Sequence, residues 1–261
     1  MIHVEHLVKK YGDVTAVNDV SFDVSAGEIF AFLGPNGAGK TTTIQMLTTL
    51  AKPASGVIRI DGLDPERQPH EVRKRFGIVF QDPSLDQELT ASENLDLHGV
   101  LYHVPRATRT ARIEMLLKLF ELWDRRDAFV KTFSGGMKRR LEIARGFLHT
   151  PKVLFLDEPT LGLDPQSRNQ LWTHVKALNE TEKVTVFLTT HYMDEAERVA
   201  HRIAIIDHGA LVAQGTAAEL KEQTKTDSLE KAFLALTGST IRDERADSAD
   251  LMRQMAKMWR R

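Results

Sequence analysis

The octet Gly34-Pro35-Asn36-Gly37-Ala38-Gly39-Lys40-Thr41 constrains this chain more than any other stretch of it. It fits G-x-x-x-x-G-K-[ST] and stands between the continuous apolar run Ile29 to Leu33 and the segment Lys40 to Leu50, where Ile44 and Leu47 fall at helical spacing. A buried strand, a glycine-rich loop and a helix in that order build a phosphate site. The glycines let successive N–H groups turn inward, and the helix aims its positive end at the same point. Lys40 adds a mobile charge for β- and γ-phosphates, and the Thr41 hydroxyl is placed to ligate Mg2+. Thr42, next in the chain, closes the set of phosphate-loop candidates.

A second apolar run, Val153 to Leu156, ends in Asp157 and Glu158 and then Pro159. Open α/β sheets bind ligands at the carboxyl ends of their strands, so this strand delivers two acids to the binding rim. Side chains alternate along a strand, and the two neighbours therefore serve different ends. Asp157 suits the Mg2+ shell, and Glu158 suits the water that attacks the γ-phosphate.

The rest of the chain alternates in texture. Strand candidates at Ile2 to Val8, Val20 to Val24, Gly56 to Asp61 and Phe76 to Phe80 precede a stretch of about 90 to 150 that reads as helical. Thr90-Ala91-Ser92-Glu93 opens it with capping-box spacing, and Thr216 to Glu219 repeats that spacing later. Strands return at Val153 to Leu156, Val184 to Leu188 and Ile203 to Ile206, which predicts an α/β fold around a helical insert. Leu229, Phe233 and Leu236 make a short amphipathic turn ending at Gly238. Residues 1–238 thus read as one domain, with 239–261 as a linker and a short basic amphipathic helix carrying Leu251, Met255, Met258 and Trp259.

Composition removes several classes. With no cysteine, disulfides, thiolate metal sites and cysteine nucleophiles are excluded. The 35 basic side chains balance 36 acidic ones, and a net charge of −1 gives no global field for a polyanion, so no nucleic-acid partner is expected. No apolar run approaches the ~20 residues of a membrane helix. The start of the chain shows no secretory signal, and a cytoplasmic location is expected. His3 and His6, three apart on a strand, are expected on opposite faces, and Lys138, Arg139 and Arg140 are expected on the solvated face of their helix.

Phe133-Ser134-Gly135-Gly136-Met137 precedes a helix for which Ser134 reads as the N-cap, so a second anion site with free backbone N–H groups is predicted there. At this point the chain resembles the ATP-binding subunits of ABC transporters. The marks fall in the family's order: the phosphate loop at Gly34 to Thr41, Gln81 in a loop, the signature at Ser134 to Met137, the acidic strand end, Leu161-Gly162-Leu163-Asp164, and His191 after a strand. Met137 replaces the commoner glutamine of the signature. With Gln81 to Asp86 and Leu229 to Gly238, it resembles the bacterial drug-resistance exporter subfamily, including daunorubicin-type pumps.

The resemblance implies a P-loop core with an N-terminal antiparallel β subdomain and a helical subdomain. ATP and Mg2+ are the implied ligands. Tyr11 would stack on the adenine, a contact that tolerates other bases. Gln81 would reach the Mg2+ and the attacking water, and His191 would hold the γ-phosphate and Glu158. Ser134, Gly135, Gly136 and Met137 would contact the ATP of a partner subunit, across an interface to which Asp164 contributes. The implied assembly is a homodimer, or a dimer with a related ATP-binding subunit, on the inner face of the membrane. A separate transmembrane permease completes it, exporting drugs, antibiotics, lipids or similar compounds. A non-transport ATPase of the same superfamily, of the cluster-assembly kind, is the other class that length allows.

Overall fold

Successive residues of the strand Ile29–Leu33 (β3) enter two different cores. Ile29, Ala31 and Leu33 pack with the helical side of the molecule, whereas Phe30 and Phe32 pack with an antiparallel sheet. Both faces being buried, the strand shows no polar alternation. The same division holds in Val153–Asp157 (β6), where Leu154 and Leu156 face one core and Val153 and Phe155 the other.

The computed structural model describes residues 1–238; the expected linker and amphipathic helix of 239–261 lie outside the described residues. Among the described residues the strands form two sheets. Ile2–Tyr11 (β1), Val14–Val24 (β2) and Ser55–Ile60 (β4) make an antiparallel sheet in the order β2-β1-β4. The larger sheet runs β5-β6-β7-β3-β8-β9, where β5 is Phe76–Val79, β7 is Thr185–Thr190, β8 is Arg202–Asp207 and β9 is Ala210–Gly215. Its first five strands are parallel, with Ile29 opposite Val186 and Phe76 opposite Val153. Phe22 of the small sheet packs on Phe30, Phe32 and Phe187 of the large one at 5.5–5.8 Å between ring centroids, and this aromatic cluster joins the two sheets.

After the helices Lys40–Leu47 (α1) and Pro69–Arg73 (α2), further helices fill the expected insert. Ala91–Leu101 (α3) starts at Thr90 with both capping-box bonds formed, and Arg106–Leu119 (α4) follows. Gly135–Phe147 (α5) is capped by Ser134, whose Oγ accepts from the Met137 N–H at 3.2 Å. A Cβ on Gly77 would lie 2.0 Å from the Gly146 carbonyl oxygen, so α5 lies directly on the backbone of β5. That approach brings the side chains of α5 beside the loop that follows β5.

Three expectations need correction. Strand β9 was not expected: it returns from β8 through His208 and Gly209, both at positive φ, as a tight hairpin requires. His3 and His6 do not project to opposite faces. His6 has φ +49 where the β1 pairing shifts register, the extra residue resets the alternation, and both imidazoles are exposed. They pair separately with Asp23 and Asp19 of β2, at 2.6 and 2.7 Å. Nor do the three cations after Met137 form a solvated face. Arg139 is buried, and the mostly buried Arg140 donates to the Phe120 carbonyl at 3.1 Å.

Candidate active site

The loop after β3 turns on Gly39, which has φ +104 and whose added Cβ would sit 2.5 Å from the Ala16 carbonyl oxygen. Only glycine fits there. Gly39 is also the N-cap of Lys40–Leu47 (α1), and it offers no side-chain acceptor. The first-turn N–H groups have no partner inside a helix and face the loop, where the helix dipole favours an anion.

Around this point lies a cleft of about 660 Å3. Pro35 to Thr42 form its floor; Gln81, Glu158, Leu161 and His191 one wall; Val14 to Ala16 and His208-Gly209 the other. Lys40 is buried, and its Nζ donates to the carbonyls of Gly34 at 2.7 Å and Pro35 at 3.1 Å. It also lies 3.2 Å from Glu158 Oε1.

The two acids at the end of β6 do diverge. Asp157 Oδ1 accepts from Thr189 Oγ1 at 2.5 Å and from Thr41 Oγ1 at 3.5 Å. Burial pushes its carboxyl above the ordinary value, against those two hydrogen bonds. Glu158 leaves the strand at φ +46, and its N–H donates to Thr189 Oγ1 at 3.0 Å. Its Oε2 is 2.8 Å from His191 Nδ1. Burial raises this carboxyl, but His191 and Lys40 together outweigh burial and hold it below its ordinary value. Glu158 is therefore a charged carboxylate, oriented by a histidine, at the mouth of a phosphate-binding loop.

Thr41, Asp157 and Gln81 offer a hydroxyl, a carboxylate and an amide carbonyl, all hard oxygen donors of the kind Mg2+ takes beside substrate phosphates. Thr41 and Asp157 already converge within 3.5 Å. The donor set fits the ion.

Other expected residues stand apart from the cleft. Tyr11 does not line it; Lys9 Nζ lies 4.9 Å over its ring. Ser134 and Gly135 are exposed and also outside the cleft, while a Cβ on Gly136 would meet Ser167 Oγ at 2.7 Å. Asp164 caps Pro165–Glu182 (α6) through its bonds to the Ser167 N–H and hydroxyl, at 3.0 and 2.6 Å. Two residues of the site were missed from sequence. Thr189 touches both acids, and the Thr-Thr pair before His191 was its signal. Arg139 had none, being read with its basic neighbours.

The profile of the family described as ABC transporter matches residues 17–161. The chain belongs to the ABC transporter family. The cassette is 46% identical over 250 residues to the daunorubicin/doxorubicin resistance ATP-binding protein DrrA of Streptomyces peucetius, covering 96% of this chain and 75% of that one. It is 44% identical over 220 residues to the Nod factor export ATP-binding protein I of Ralstonia nicotianae, covering 84% of this chain and 68% of the relative. A solved ATP-binding subunit of an ABC transporter superposes with a TM-score of 0.81 at 34% identity, over 90% of this cassette and 99% of that chain. The ABC cassette MJ0796, solved as a dimer bound to ADP and phosphate, superposes at 0.74 with 28% identity, over 83% and 98%. The cassette is an ATP-hydrolysing, ATP-binding subunit of the drug-exporter subfamily.

Proposed function

We propose that the cassette binds MgATP in the cleft floored by Gly34 to Thr42 and hydrolyses it to drive a separate permease that exports drugs, antibiotics, lipids or similar compounds. The observation that carries this reading is a division within one chain. One set of residues, Lys40, Asp157, Glu158, His191 and Gln81, converges on or beside the cleft, while the exposed helix start at Ser134 lies outside it. Two anion-recognising helix starts that do not meet in one chain can meet across two chains around a shared polyphosphate. Dimerisation and a permease partner are general to such cassettes. The finer reading is a head-to-tail dimer, with itself or a related subunit, on the inner face of the membrane.

In that assembly Lys40 and the first-turn N–H groups of α1 bind the β- and γ-phosphates, and Ser134 to Met137 of the partner close on the γ-phosphate. Thr41, Gln81 and Asp157 would hold Mg2+, which when bound spreads and neutralises phosphate charge. Glu158 accepts the proton of the attacking water; His191 keeps its carboxylate turned toward the cleft. Tyr11, just before the Val14 to Ala16 wall in the chain, would stack on the adenine. Asp164 stiffens the loop between the acids and α6.

Fractionation of host cells tests the reading. The full chain should sediment with the membranes and, after detergent extraction, co-purify with a polytopic membrane protein. Recovery in the supernatant alone, with no membrane partner, would overturn the transport reading.

A further inference from the structure

Arg139 lies on α5 two residues past the signature, and only 7% of its side chain is exposed. Its Nη1 donates to the Phe80 carbonyl at 2.6 Å and to Glu142 Oε2 at 3.2 Å. Its Nη2 donates to the Gln81 carbonyl at 3.1 Å and to the Glu158 carbonyl at 3.4 Å. One planar guanidinium thus touches the main chain of two proposed hydrolytic residues. They come from different loops, one after β5 and one after β6.

The helix holds the first of those loops at both ends. Glu142 Oε1 accepts from the Ser84 N–H at 2.7 Å, and Arg145 Nη1 donates to the Ser84 carbonyl at 2.7 Å. Residues 139, 142 and 145 recur every three positions and so share one helix flank. Guanidinium suits this task for a geometric reason: it presents five N–H donors in a rigid fork, whereas an ammonium on a flexible stem is a point charge. Glu158 also sits at positive φ, which for a non-glycine residue persists only where surrounding bonds hold it.

We infer that Arg139 is a positioning residue for hydrolysis: by binding the carbonyls of Gln81 and Glu158 together, it sets the spacing of the two side chains that face the attacking water. The inference rests on the site reading above. It predicts an effect on turnover that is separable from nucleotide binding.

The test uses the full chain and compares the parent with Arg139→Met, Arg139→Lys and Glu158→Gln. ATP affinity, kcat, KM, thermal midpoint and ATP-driven dimer formation are all measured. For Arg139→Met, kcat should fall by about tenfold or more with KM and ATP affinity within about twofold, because small misplacements of reacting groups are costly. Arg139→Lys should recover part of that loss. In the Glu158→Gln background, Arg139→Met should still form the ATP-bound dimer, since positioning of the water is not needed for binding. Parental kcat in both Arg139 variants would overturn the proposal. So would a parallel loss of kcat, affinity and dimer, which marks a purely structural buried charge. Should Arg139→Met fail to fold, the kcat of Arg139→Lys decides in the same two directions. If Glu158→Gln itself turns over at the parental rate, the site reading fails and takes this inference with it. If only the Arg139 variants are unaffected, the site reading stands and the positioning role falls.

Discussion

Lys40 Nζ lies 3.2 Å from Glu158 Oε1, and both side chains are almost wholly buried. The lysine that the phosphate loop offers to nucleotide therefore already has an anionic partner. In the proposed reaction, incoming phosphate would compete with that carboxylate, and the partner it would displace is the proposed acceptor of the water's proton. His191, on the other carboxylate oxygen, is the second group that holds the Glu158 carboxyl below its ordinary value.

Lys40→Ala should consequently act twice. Loss of a charge-assisted phosphate contact should weaken ATP binding by about tenfold or more. It also leaves Glu158 buried with one ionic partner fewer, so the thermal midpoint of the nucleotide-free protein should fall. Nucleotide titration and thermal unfolding measure the two effects, and parental ATP affinity in the variant would refute the role given to Lys40.

Glu158→Gln preserves shape and removes basicity. Turnover should drop by about 10²- to 10⁴-fold, the range in which a general base acts, while ATP binding persists. With hydrolysis blocked, the variant should accumulate as an ATP-bound dimer in sedimentation. Monomer alone at saturating nucleotide would count against the shared-site assembly.

The parts of the site that were legible in the sequence share a property: their function depends on local backbone. A glycine loop between a strand and a helix, an acid pair ending a strand and a serine before a helix each carry their geometry within a few residues. Gly39, Asp157 and the Ser134 cap fall in place accordingly. What was hidden depends on distant partners. Arg139 meets the Gln81 carbonyl 58 residues away, and nothing in Lys138-Arg139-Arg140 says which cation turns inward. The bulge at His6 is equally silent, since a single positive φ resets the alternation of a strand. Strand β9, Ala-Leu-Val-Ala-Gln-Gly, carried only the weak signal of Gly209 and a short, half-exposed apolar run without polar alternation.

Mixing Ser134→Arg with Lys40→Ala, assayed at an ATP level where neither turns over alone, tests whether Ser134 acts across the dimer. Ser134→Arg should abolish turnover while leaving ATP binding by the separate chain intact, because Ser134 is exposed and outside its own chain's cleft. Combined with Lys40→Ala, it yields heterodimers in which one composite site carries both lesions and the other carries none. Random pairing in a two-fold dimer would restore about a quarter of parental activity if the sites act independently. Measured ATPase that stays at zero across all mixing ratios would refute independent action in trans.

The ring stack between α3 and the end of α5 bears on acid stability. Tyr102 lies 4.7 Å from His98 and 3.8 Å from His149 between ring centroids. The His149 Nε2 is 3.0 Å from the Phe76 carbonyl, which can only accept, so the neutral ring carries its proton there. Burial, then Arg145 and His149, push the His98 pKa down to about 3. Burial and Arg112, against the Phe76 hydrogen bond, push His149 down to about 4. Both folded values lie below the unfolded 6.5, so below that pH the unfolded chain binds the extra protons. Their contribution is complete above pH 6.5 and is lost as pH falls toward about 4 and then about 3. Each histidine adds at most about 1.4 kcal/mol per pH unit, less where solvent screens the ring. Urea midpoints taken downward from neutral pH should therefore decline. The double variant His98→Phe, His149→Gln should decline less steeply; His174, lowered in the same sense, keeps part of the slope. Identical slopes in the two proteins would mean that neither ring is held neutral by the fold.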